Sequence, residues 1–266
     1  MRILTWNLWG RYGPWERRQE AIAATLAEVD PDVCGFQEVW GTRGRNLAAD
    51  LAERLGLYWC WAIAAQSGRG DDDGDLFNGN AVLSRWPIAA QNEVRLPTDD
   101  PGEGRVAVAA RIDAPGGVLP MVTTHLTFRP GGSQVRLPQV RQLASFVAEE
   151  AADCAYPPVV TGDLNAEPDS DELRLLGGLL TAPTVPGLVL LDAWRYADPG
   201  DPGFTWDRRN GYQADTMIPD SRIDYILVGL ARQGRGRVRS ARLAGTAPVD
   251  GVWPSDHFAV VADLRN

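Results

Sequence analysis

Polar residues recur where apolar runs of this chain end. Asn7 follows ILTW, Glu38 follows VCGFQ, His125 follows MVTT, Asp163 and Asn165 follow and close VVTG, Asp224 opens DYILV, and Asp256-His257 precede FAVV. Singly, each reads as a turn former or a hydrogen-bonded structural residue. Together they bring both of the chain's 2 histidines to strand ends beside carboxylates, which turn formation does not require. Chemically the set reads as hard-metal phosphoester hydrolysis. Carboxylate and amide oxygens such as Glu38, Asp256 and Asn7 suit Mg²⁺ or Mn²⁺, whereas two histidines without nearby thiolates fit structural zinc poorly. Such a metal polarises a phosphoryl oxygen or steadies a leaving group. His257 is expected to act as base or phosphate-charge stabiliser, with a carboxylate such as Asp224 fixing its tautomer and favouring its protonated form.

These residues need strands to carry them, because layered sheets assemble chemistry at strand ends. Hydrophobic periodicity predicts strands over 2–7, 33–37, 57–64, 80–84, 88–96, 105–113, 118–125, from 159, near 204, and over 223–228, 238–243 and 258–264. Helices are predicted over 16–29, 46–55, 137–152 and 171–176, with Asp-Pro-Asp at 30–32 ending the first and Gly56 the second. In the stretch VVTGDLN, Asp163 and Asn165 stand two apart, so an extended backbone points both the same way while Leu164 turns into the core. The loops 66–78 and 183–216 are rich in Gly, Asp and Pro and read as solvated connections or as the rim of a cleft.

The chain of 266 residues is 44% hydrophobic and 23% charged, enough for one large α/β core, and it is expected to be a single domain over 1–266. Its formal charge is −9, and the acidic run at 69–75 has no basic counterpart of similar density, the reverse of what a nonspecific grip on long nucleic acid requires. A local Arg face remains compatible with that total. Every one of the 26 basic residues is Arg, which excludes a Schiff-base lysine mechanism. Cys34, Cys60 and Cys154 are odd in number and sit in apolar stretches, so free buried thiols are expected. There is no apolar run of membrane-spanning length and no secretion signal in the first residues, so a cytoplasmic location is expected.

The motifs TWN at 5–7, FQEV at 36–39, GNAVLSR at 79–85, TTHL at 123–126, GDLN at 162–165, RIDYI at 222–226 and SDH at 255–257 resemble, in order, those of the endonuclease/exonuclease/phosphatase superfamily. The resemblance implies a four-layer α/β/β/α sandwich, two mainly antiparallel sheets flanked by helices, with a metal site at one end. It implies that Asn7, Glu38 and Asp256 lie on or beside the metal, that His125 and Asn165 hold the scissile phosphate, and that Asp224 pairs with His257. Asp163 would orient or deprotonate the attacking water, or protonate the leaving oxygen. Asn80, in GNAVLSR, and Arg129, soon after His125, are expected substrate contacts. Trp9 stands where AP endonucleases often carry an acidic residue, which argues against abasic-site repair.

The expectation is a Mg²⁺- or Mn²⁺-dependent hydrolase of a small or exposed phosphoester. The alternatives are a deoxyribonuclease or DNA-repair phosphodiesterase, which needs an Arg-lined groove, and a non-catalytic binding module on the same scaffold.

Overall fold

The computed structural model describes residues 1–67, 75–100 and 102–266. The acidic run at 69–75 therefore lies, except for Asp75, outside the described residues. The chain opens with strand β1 (Arg2–Asn7), helix α1 (Trp15–Val29) and strand β2 (Val33–Gly41). Because α1 crosses between them, β1 and β2 run parallel. Pro14 precedes α1, and Asp30 ends it in a left-handed conformation with its N–H on the Leu26 carbonyl. Helix α2 (Leu47–Leu55) starts where the Asn46 side chain accepts from the N–H groups of Ala48 and Ala49, and it stops at left-handed Gly56. Strands β3 (Tyr58–Ser67) and β4 (Leu76–Ser84) then pair antiparallel.

Strands β5 (Ile88–Leu96), β6 (Arg105–Ala114) and β7 (Gly117–His125) form a meander, and helix α3 (Ser133–Glu150) crosses over to β8 (Val159–Asp163), parallel to β7. Helix α4 (Asp171–Gly177), capped by Ser170, strand β9 (Leu190–Asp192) and a 3₁₀ turn (Ala193–Tyr196) precede β10 (Asp224–Gly229), β11 (Val238–Ala244) and β12 (Ala259–Leu264). The strands make two six-stranded mixed sheets, ordered β11-β12-β1-β2-β4-β3 and β5-β6-β7-β8-β10-β9.

Period-two alternation distributes the apolar residues over three layers. On β1, Ile3 faces the core between the sheets, while Leu4 and Trp6 face outward against Ile22 and Leu26 of α1. On the second sheet, Val108 and Met121 face inward and Val122 and Val160 outward, against Val140 and Leu143 of α3. The result is the expected α/β/β/α sandwich. Beneath one end of it the inter-sheet contact becomes polar: Gln37 Nε2 donates to Thr123 Oγ1 at 2.8 Å and to Thr5 Oγ1 at 3.2 Å. A Cβ on Gly35 would sit 2.0 Å from Thr161 Oγ1, so glycine is needed there for the sheets to approach.

Several boundaries differ from the sequence reading. Helix α3 begins at Ser133, a turn before the expected start, with Pro138 inside it. β4 begins at Leu76 rather than at 80, and β2 continues to Gly41 rather than stopping at 37. Near residue 204 there is no strand among the described residues, only an isolated pairing of Trp206 with Ser221. The three-residue β9 lay inside the expected loop 183–216, too short for periodicity to reveal. The cysteines Cys34, Cys60 and Cys154 are free and buried, and burial pushes the Cys60 thiol up to about 11. Among the described residues no helix is long and apolar enough to cross a membrane.

Candidate active site

Strand register assembles half of the site. His125 at the end of β7 lies opposite Asp163 at the end of β8, and Asp163 lies opposite Asp224 at the start of β10. Three neighbouring strands thus present an imidazole and two carboxylates in a row. Like charges directly opposite one another weaken a sheet, so this row is not there for stability. Asp163 and Asp224 are both essentially inaccessible to solvent.

The other sheet supplies the remainder. Asn7 ends β1, and Asp256-His257 stand one residue before β12, which pairs with β1. Glu38 does not follow the end of its strand. It sits in a bulge of β2, where register slips between Phe36 and Val39, and its φ of 51° turns the side chain out of the pleat. Trp9 (φ 55°) and Asn165 (φ 47°) are also left-handed, so three of the chain's non-glycine residues in this uncommon conformation cluster at the site. Asn165 is therefore not an extended continuation of β8. Its N–H donates to Asp163 Oδ1 at 3.0 Å in a tight turn, and Leu164 is buried beneath.

Asn7 links the two halves, its Nδ2 donating to Glu38 Oε1 and to Asp163 Oδ2, both at 3.1 Å. Its Oδ1 accepts from the Trp9 N–H at 2.9 Å, so Asn7 orients carboxylates beside the site and turns its own oxygen away. His257 Nδ1 donates to Asp224 Oδ2 at 2.9 Å, and its Nε2 lies 3.8 Å from Asp163 Oδ2. Asn165 Nδ2 donates to His125 Nε2 at 3.1 Å, and that nitrogen is 3.5 Å from Asp163 Oδ2. His125 Nδ1 stands 3.9 Å from Glu38 Oε1.

Burial and neighbours set the protonation states. Desolvation, reinforced by Arg105 and His257, holds His125 well below its usual range. Desolvation also acts against His257, but Asp224, Asp256 and Asp163 outweigh it and hold this imidazole protonated well above its usual range. Burial, with the charge of Asp224, pushes Asp163 up to about 7. Burial likewise raises Asp256 to about 7, with Glu38 adding to the shift and His257 opposing it.

Carboxylate oxygens gathered beside an open cleft are what a hard divalent ion fits. Asp256, raised by burial and by Glu38, and Glu38, whose carboxylate is partly open to the cleft, form such a set. Asp163, Asp224 and His257 also bring ligand atoms within 4.8 Å of one another, and Asp224 Oδ1 is buried without a hydrogen-bond partner among the described residues. That trio is less suited to an ion, because its imidazole is held protonated and already donates to Asp224.

Beside Glu38 and His125 opens a cleft of about 640 Å³. Tyr12, Trp15, Arg11, Phe128 and Arg105 line it, and Ala64, Ala65, Gly79 and Gly104 are among its small residues. Asn80 lines it too, but its Nδ2 donates to the Val106 carbonyl at 2.8 Å, tying the two sheets together. Arg129 is outside the cleft lining and is ion-paired with Asp100. Trp40, next to FQEV, is buried, as is Arg136, which pairs with Glu172 at 2.8 Å.

Sequence reasoning missed Gln213, whose Nε2 donates to Asp256 Oδ2 at 3.2 Å, and Thr205, whose Oγ1 accepts from the Asp224 N–H at 3.2 Å. Both come from the loop 183–216, where no pattern marks them. They show that its second half is part of the site.

Residues 4–257 match the Endonuclease/Exonuclease/phosphatase family. The chain belongs to this family. It is 23% identical over 274 residues to nocturnin of Rattus norvegicus, covering 94% of this chain and 58% of nocturnin. The chain spans about half the length of the curated relatives it matches. Among solved structures, the human nocturnin catalytic domain with bound sulfate superposes with a TM-score of 0.76 at 21% identity, over 100% of this chain and 94% of that one. The mannosyl-6-phosphatase of Bacteroides thetaiotaomicron superposes with a TM-score of 0.73 at 19% identity, over 100% of both chains. At such identity these likenesses speak for the fold. As a member of the endonuclease/exonuclease/phosphatase family, the chain has the architecture of phosphoester hydrolases.

Proposed function

We propose that this protein is a single-domain, divalent-metal-dependent hydrolase of a small or exposed phosphoester. The observation that carries the reading is the contact network through which both sheets gather Asn7, Glu38, His125, Asn165, Asp224 and His257 around Asp163, with Asp256 beside His257 and with Glu38 and His125 lining the cleft.

In this reading Glu38 and Asp256 hold Mg²⁺ or Mn²⁺, with Asn7 and Gln213 keeping those carboxylates in place. When bound, such an ion supplies Lewis-acid polarisation of a phosphoryl oxygen. His257, kept protonated by Asp224, offers its Nε2–H to the charge that builds on the phosphate. From the other sheet His125 faces the phosphate, its ring oriented by Asn165 Nδ2, which donates to His125 Nε2 and to the Leu126 carbonyl. Asp163, raised to about 7 and within 4 Å of both imidazoles, can exchange a proton near neutral pH, either taking one from water or giving one to the leaving oxygen.

A small substrate is favoured over nucleic acid by where the arginines are spent. In the cleft lining Arg105 pairs with Glu103 (2.7 Å), and elsewhere Arg43 pairs with Asp75 (2.7 Å), Arg208 with Asp220 (3.0 Å), Arg209 with Asp207 (2.6 Å), and Arg129 with Asp100. A cation already matched to a carboxylate adds little to a grip on a polyanion. The exposed rings of Tyr12 and Phe128 on the cleft suit the flat face of a single leaving group. The test is Phe128→Ala and Tyr12→Ala. They are expected to raise KM for a ring-bearing phosphoester while sparing a methyl phosphoester, and an equal effect on both contradicts this use of the cleft.

A further inference from the structure

Arg18, in the first turn of α1, is almost completely buried, 1% exposed, and touches no carboxylate in any described hydrogen bond. All five of its N–H groups go to backbone carbonyls. Nε donates to Tyr12 O (3.1 Å), Nη1 to Leu8 O (2.9 Å) and Pro254 O (3.0 Å), and Nη2 to Trp9 O (2.9 Å) and Gly10 O (2.8 Å). Left-handed Trp9 and Gly10 help turn the segment 8–12 around the guanidinium.

That carbonyl ring joins the backbone segments on which the oxygen donors ride. Residues 8–12 follow Asn7, the Gly10 N–H donates to the Glu38 carbonyl at 3.0 Å, and Pro254 stands two residues before Asp256. Ser255 Oγ makes a second tie to the Asn7 carbonyl at 2.6 Å. Only a planar fork with five donors satisfies such a ring; an ammonium has three. Burial lowers the Arg18 guanidinium to about 10, and Asp256 and Glu38 act against that shift, so it remains a fixed positive charge behind the two carboxylates.

The geometry points to Arg18 as a positioning residue that fixes the backbone segments carrying Glu38 and Asp256 before a divalent cation arrives. This rests on the metal reading above and adds to it the device that preforms the site.

The test is Mn²⁺ titration, by calorimetry, of the full chain and of its Arg18→Lys and Asp256→Asn variants, with thermal melts in parallel. Folded Arg18→Lys is expected to bind Mn²⁺ about 10- to 100-fold more weakly, the usual effect of losing an outer-shell partner, with KM for substrate unchanged at saturating Mn²⁺. A merely structural role would lower the melting temperature and leave the isotherm alone. An isotherm that depends on Asp256 but is unmoved by Arg18→Lys overturns the Arg18 assignment while leaving the metal reading intact. An isotherm unmoved by Asp256→Asn overturns both. Should Arg18→Lys fail to fold, amide exchange of the unaltered protein decides. Equal protection of residues 8–12 and 255–257 with and without Mn²⁺ supports a preformed site, and ordering of these segments by Mn²⁺ overturns it.

Discussion

His125 and His257 both lie within 4 Å of the same Asp163 oxygen, yet their surroundings drive them to opposite charge states. A protonated imidazole backed by Asp224 suits charge stabilisation, and a neutral one suits hydrogen bonding to a phosphate. His257→Ala and Asp163→Ala are expected to lower turnover by about 10² to 10⁴, the range for a positioned proton-transfer or charge-stabilising group, with unchanged circular dichroism. Near-normal turnover in either removes the mechanism. The same groups set a stability slope. Asp163 and Asp256, raised from 3.8 to about 7, keep protons that the unfolded chain releases, so stability falls as pH rises from about 4 to 7. His257, raised, loses its contribution as pH climbs through its folded value, again lowering stability; His125, lowered, opposes this only below its ordinary value of 6.5. Melting temperatures of the metal-free protein are therefore expected to fall as pH rises from 6.5, and Asp256→Asn to flatten the part of that fall below about pH 7. An equally steep fall in that variant contradicts the assignment. At this scale much was legible, because the polar residues stood at the ends of apolar runs. Arg18, Thr205 and Gln213 were not, since each acts through backbone or side-chain partners far away in sequence.

Two kinds of element geometry place these groups. Exact register puts His125, Asp163 and Asp224 side by side, while the bulge in β2 and the turn after β8 re-aim Glu38 and Asn165. Gly162 lets β8 lie against β7, since a Cβ there would fall 2.3 Å from the Thr124 carbonyl oxygen. Gly162→Ala is expected to cost about 1 to 3 kcal/mol by denaturant melt, typical of overpacking, and to lower activity by shifting Asp163 from His125. Activity retained at full stability contradicts it. Breaking the buried Arg136–Glu172 pair, which with two carbonyl bonds pins the chain just after His125, should cost about 3 to 5 kcal/mol in Glu172→Ala. Strands and helices were legible from periodicity, but the bulge was not. Seen in sequence, Glu38 simply follows an apolar run, and only pairing with β4 reveals the extra residue. The start of α3 was missed because Pro138 reads as a helix-opening residue.

As a whole, the molecule crosses its sheets over late: β10 joins the second sheet, and β11 and β12 return to the first beside β1. That return brings Asp256 and His257 onto Asn7, and so makes the site depend on both ends of the chain. The order of the motifs carried this architecture in the sequence, while the commitment of the arginines to carboxylates was invisible there, since pairing needs three dimensions. With a net charge of −9, hydrolysis of a small phosphoester is expected to change little between 50 and 200 mM salt, where a polyanion-binding groove would lose about 10³ to 10⁵ in affinity. The most direct measurement is turnover by the purified protein with Mg²⁺, with Mn²⁺ and with chelator, on nucleotides, sugar phosphates, a chromogenic phosphodiester, and single-stranded and duplex DNA. Chelator-sensitive turnover on the small compounds, with little on DNA, is the predicted result. Efficient DNA cleavage, or turnover that survives chelation, would contradict the account.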